Sequence, residues 1–207
     1  MNEHSFIFAA GMRIRDENKL VCIRQKAMEM IVRQGFDGFS MQKLAKAAGV
    51  SPATSYIYFK HKEDLLVQLF VTETQKMTEA TLKNFDPSLS FREGLKIQWI
   101  NRAKYCLKNP EAMQFLEQIR HSPLQEKCGK MMGDNFKNTM KEFVNNAIKR
   151  KELVNVPVEV YWSIAFAPLY NLVKFHLTGK NMAGKQFVFS NKIMMETLAL
   201  VLKALKP

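Results

Sequence analysis

The chain has 207 residues, 47% of them hydrophobic, and its 31 lysines and arginines against 19 acidic residues give a formal net charge of +12. That length and apolar content exclude a disordered chain and provide for one or two domains with a buried core. The charge makes polyanions plausible partners, nucleic acid first and an anionic membrane surface second. Ten basic and seven acidic residues lie at or before Phe70, leaving 21 and 12 beyond it, so charge alone cannot place a nucleic-acid site. The three cysteines, Cys22, Cys106 and Cys128, include no C-x-x-C pair, which fits a reducing cytosol better than a disulfide framework. No apolar run has the length of a transmembrane helix, so a cytoplasmic protein with no membrane partner is expected.

Hydrophobic spacing predicts an all-α protein of about nine helices. Residues 1–15 read as an N-terminal tail. From Asp16, the positions Leu20, Ile23, Ala27, Met30 and Ile31 recur at helical spacing, and Gly35 supplies a left-handed stop. Ser40 caps a short second helix to about Ala48, and Gly49 breaks it. Ser51 caps a third in which Pro52 takes the first helical position. A fourth runs from Lys62 toward Asn84, carrying Leu65, Leu66, Leu69 and Phe70. Ser90 and Glu93 form a capping box for a fifth, which Asn109-Pro110 ends while opening a sixth, and Ser122-Pro123 closes that one. A long seventh to about Lys151 is weakened by Gly129 and Gly133. An eighth spans Pro157 to Gly179 with a kink expected at Pro168, and the ninth covers Phe187 to Leu205.

The segment from Ser40 to Leu66 carries the chemistry. Leu44, Ala45, Ala48 and Val50 are placed to pack two short helices against the first, freeing the front edge of the third helix for a DNA major groove. Ser40, Ser51 and Thr54 bring hydroxyls, Tyr56 and Tyr58 phenols, and Lys62 a cation, all able to bond phosphate oxygens and so fix register. Gln42 is suited to bidentate pairing with adenine, and Pro52 and Ala53 to a thymine methyl. Phe59 reads as core, and Lys60 and His61 as solvated.

Ala45, Gly49, Val50, Ser51, Tyr56, Tyr58, Phe59, Lys60, Lys62 and Glu63 closely resemble the helix-turn-helix of the TetR family. The resemblance covers about the first third of the chain. It implies a three-helix DNA-binding domain over 16–62, with phosphate contacts at Ser40, Thr54, Tyr56 and Lys62 and base contacts at Gln42, Pro52 and Ala53. It also implies a helical ligand-binding and dimerisation domain over 63–207. Two positions depart from the family pattern: many members have glycine at Ala53 and a large apolar residue at Ser55, and Ser55 either thins the small core or adds a hydroxyl contact.

In that second domain an inducer pocket for a small, largely apolar ligand is expected at Trp99, Phe143, Trp162, Phe166 and Tyr170. Arg102, Lys104 and Arg120 read as a solvated basic face, with contact to an anionic ligand as the alternative, and His121 and His176 as structural. The last two helices are apolar on more than one side, which suits a homodimer interface, with Leu198 on it. No metal-ligand cluster, phosphate-binding glycine loop or nucleophile with its base is visible, so no enzyme, no metal and no cofactor is expected. The resemblance implies a repressor released from a palindromic operator by a small molecule. The rival reading keeps the fold and makes the second domain an adaptor for a protein partner.

Overall fold

The computed structural model describes residues 3–130 and 134–207, with side chains from Glu17 onward. The side chains of the expected tail therefore lie outside the described residues. The helices are α1 (Glu3–Gly38), α2 (Met41–Ala47), α3 (Pro52–Tyr58), α4 (Lys62–Leu82), α5 (Phe91–Lys108), α6 (Pro110–Arg120), α7 (Gln125–Lys130), α8 (Asn135–Lys149), α9 (Val158–Ala165), α10 (Ala167–Thr178) and α11 (Asn191–Ala204). One antiparallel bridge, Lys180 to Gln186, is the sole β pairing among the described residues. None of the described helices is long and apolar enough to cross a membrane.

The class is all-α as expected, but eleven helices replace about nine. The expected eighth helix is two. Phe166 leaves helical geometry at φ −127° and ψ −29°, and Pro168, which has no N–H to donate, enters the first turn of α10. The kink is thus a full break, and Gly179 ends α10 in the left-handed region at φ 72°. The expected seventh helix is also two, α7 and α8. Gly129 lies inside α7, while Gly133 falls outside the described residues.

Internal contacts divide the chain into two compact units, Met1–Thr74 with Glu111–Met132, and Gln75–Pro110 with Gly133–Pro207. In the first, Ile23, Ala27 and Ile31 of α1, Leu44 and Ala45 of α2, Phe59, and Leu65 and Leu69 of α4 are buried. Spacing of four in α1 and α4, and of three and four from the buried Met41 in α2, gives each helix one apolar stripe. The second unit is built on one cluster drawn from α5, α8, α9, α10 and α11, including Leu95, Trp99, Phe143, Phe166, Leu169, Met194 and Leu198. Leu198, expected at a subunit interface, belongs to this core and is 3% exposed.

Candidate functional site

The short helices of the first unit start where local chemistry dictates. Ser40 Oγ accepts from Lys43 N–H at 3.2 Å and caps α2, and Ser51 Oγ accepts from Thr54 N–H at 3.1 Å and caps α3. Gly49, at φ 66°, makes the turn between them in a conformation that side-chain-bearing residues rarely adopt. α4 starts on a reciprocal pair of caps: His61 Nδ1 accepts from Asp64 N–H at 3.2 Å, and Asp64 Oδ2 accepts from Lys60 N–H at 2.8 Å. Hydrogen bonds from Gln68 and from Lys60 N–H hold the Asp64 carboxyl below its ordinary range.

Gln42, Ser51, Pro52, Ala53 and Tyr56 are exposed, and Ser40, Thr54, Tyr58 and Lys62 are half-buried. The hydroxyls of Ser51 and Thr54 lie 2.8 Å apart. A capping hydroxyl accepts with a lone pair and keeps its own proton to donate, so Ser40 remains able to bond a phosphate. The Lys62 ammonium donates to Phe36 O and lies 5.8 Å from the centre of the Phe39 ring. An ammonium has two further protons to offer.

Ser55 is fully buried and its Oγ has no partner, so it thins the core and is not a surface hydroxyl. One exposed residue was not singled out from sequence: Ile57, 78% exposed, four residues after Ala53 and hence on the same helical face. That spacing is the signal that could have found it.

In the second unit, Trp162, Phe166 and Tyr170 converge on one side chain, Arg102. Its guanidinium carbon lies 4.3 Å from the centre of the Phe166 ring, 5.2 Å from that of Trp162 and 5.5 Å from that of Phe136. Nη1 donates to Tyr170 Oη at 2.6 Å, and Nη2 to Gln98 Oε1 at 3.2 Å. Trp99 is fully buried and donates from Nε1 to Ala165 O at 2.8 Å. Phe143 sits with other rings, 5.1 Å from Phe85 and 5.8 Å from Phe91.

Arg102 therefore corrects the reading of a solvated basic face, since it is 1% exposed, while Lys104 and Arg120 are exposed. Its place was visible in spacing: it follows Leu95 by seven residues and Trp99 by three, on the buried stripe of α5. Of the histidines, His176 Nδ1 accepts from Phe189 N–H at 3.3 Å, a structural role.

Residues 23–69 match the family model described as bacterial regulatory proteins, tetR family. An uncharacterized HTH-type transcriptional regulator of Haemophilus influenzae is 35% identical over 117 residues, 56% of each chain. A fatty acid metabolism regulator protein of Bacillus subtilis is 33% identical over 79 residues, 38% of this chain and 41% of that one. The chain thus spans about half the length, or less, of the curated relatives it matches. Over most of its length it is similar to the crystal structure of a TetR family transcription regulator from Marinobacter aquaeolei, with a TM-score of 0.72, 28% identity, and 93% of this chain and 98% of that one covered. The family match thus lies over α2, α3 and the turn between them, and the similarity to a TetR family transcription regulator extends through the second unit.

Proposed function

We propose that the protein is a ligand-responsive transcriptional regulator, a repressor that binds a palindromic operator as a homodimer and is released by a small molecule. The observation that carries the reading is the exposure of Gln42 on α2 and of Pro52, Ala53 and Tyr56 on α3, with the hydroxyls of Ser40 and Thr54 at the starts of those helices and the ammonium of Lys62 at the start of α4. Side chains of this kind fix a recognition helix on phosphates and leave a few to read bases. Leu177 of α10 and Leu200 of α11 are 40% and 69% exposed, which supports pairing of these helices across a two-fold axis. α4 is continuous between the two units and is the natural carrier of a signal from one to the other.

The test is selection of DNA from a random duplex pool by the purified protein. The expected product is a palindrome with half-sites about one helical turn apart. Gln42→Ala should relax preference at a single base pair, and Tyr56→Phe should weaken all selected duplexes alike. A selected pool with no enrichment would remove the reading. The dense packing of Trp99, Phe143 and Phe166 favours one second reading, an adaptor that binds DNA and a protein partner without a small-molecule inducer. It predicts operator affinity that no small molecule alters.

A further inference from the structure

We infer that Arg102 anchors the acid group of a monocarboxylate ligand with an apolar body, bound among Phe136, Trp162, Phe166 and Tyr170. This rests on the ligand-responsive reading above and names the ligand class it would take.

Arg102 is the one charged side chain among the described buried residues of the second unit. A buried guanidinium keeps its charge, and a charge removed from water is costly unless an opposite charge and hydrogen bonds compensate it. Among the described residues Arg102 forms no ion pair. Its two hydrogen-bond acceptors, Tyr170 Oη and Gln98 Oε1, are neutral, and its Nε, also buried, has no partner. The three aromatic rings attract the cation through their faces but offer no lone pair to the N–H groups.

A second polar atom points the same way. Tyr161 is 4% exposed, its Oη has no partner, and its ring stands edge-on to Phe166 at 6.1 Å, on which Arg102 also lies. Burial pushes the Tyr161 phenol up, so the group remains a donor. Two unsatisfied buried donors, one of them cationic, therefore flank a single aromatic ring. A carboxylate supplies what both lack: a negative charge for the guanidinium and a second oxygen for the phenol. One buried cation matches one negative charge, and aromatic walls match an apolar body. Phe136 is half-buried and Trp162 is 37% exposed, so the aromatic wall around the guanidinium reaches the protein surface.

The experiment is calorimetric titration of the full chain with decanoate and 2-naphthoate, matched against decan-1-ol and 2-naphthylmethanol, with tryptophan emission followed in parallel. The wild type should prefer an acid to its alcohol. Arg102→Met should weaken acid binding roughly tenfold or more, the equivalent of one charge-assisted hydrogen bond, and leave the alcohols unchanged. Arg102→Lys should restore part of the loss. Should Arg102→Met fail to fold, Tyr161→Phe carries the test, with about threefold weaker acid binding and unaltered alcohol binding. The inference is overturned if neither acid binds the wild type, if the alcohols bind as tightly as the acids, or if the variants bind acids as the wild type does. Failure of the ligand-responsive reading looks different: acids bind through Arg102 while a DNA duplex selected by the protein keeps its affinity in their presence.

Discussion

The ammonium of Lys62, at the first position of α4, donates to the carbonyl oxygen of Phe36 at the end of α1. The same cation faces the Phe39 ring, so the side chain proposed to meet DNA phosphate is already held in place by the protein. Lys62→Met should therefore have two effects. Urea unfolding is expected to show a loss of about 1 kcal/mol, one net hydrogen bond. DNA titration is expected to show binding weakened roughly tenfold for every duplex alike. Lost affinity with unchanged stability would mean that the Phe36 contact contributes nothing to the fold.

Gly94 lies buried inside α5, where helix propensity alone argues for alanine by about 1 kcal/mol. A methyl group there would meet the Phe143 ring, at Cε2 and at 2.6 Å from Cζ, and the Phe85 ring at 3.2 Å. Overpacking of a filled core costs about 1–3 kcal/mol, which exceeds the propensity gain. Gly94→Ala should accordingly lower the thermal midpoint, and Phe143→Leu in the same chain should recover part of it. A midpoint raised by Gly94→Ala would show that the Phe143 ring moves freely.

These two sites mark how far a sequence can be read. The caps of α2 and α3 were legible because Ser40, Ser51, Pro52 and Gly49 act on backbone groups one to three residues away. The His61–Asp64 cap was not, since histidine is outside the usual capping residues. Gly94 was illegible for another reason: the ring that excludes its side chain comes from α8, far along the chain. Arg102 was misread by residue type, although its spacing from Leu95 and Trp99 placed it on a buried stripe. The aromatic residues proposed for a ligand site were visible as a set, but not their division into a group at Arg102 and another at Phe91.

Glu152 gives the second unit an acid-sensitive contact. Its Oε2 accepts from Phe91 N–H at 2.7 Å, and its Oε1 from Arg150 Nε at 3.1 Å. The Phe91 N–H first, and Arg150 after it, hold the Glu152 carboxyl below its ordinary range. A carboxyl group lowered on folding stabilises the fold at pH above its unfolded value, and that contribution is lost as pH falls through the folded value. Glu152→Gln should thus flatten the decline of thermal stability on the acid side and lower stability at neutral pH. An identical acid limb in the two proteins would assign the acid sensitivity to other groups.

Two leucines of α11 separate protomer stability from assembly. Leu198 and Leu200 are two residues apart on one helix, about 200° around its axis. Leu198 is 3% exposed in the core cluster, whereas Leu200 is 69% exposed. Leu198→Glu places a carboxylate among Trp99, Phe166 and Leu169 and should unfold the second unit, so it says nothing about dimers. Leu200→Glu changes only the outer face. If α10 and α11 pair across a two-fold axis, that substitution puts two like charges near the axis and should yield a folded monomer by sedimentation, with unchanged helical circular dichroism. Because a single recognition helix contacts only one half-site, the same variant should lose affinity for a palindromic duplex by far more than for an isolated half-site. An intact dimer in Leu200→Glu would move the interface away from this face of α11.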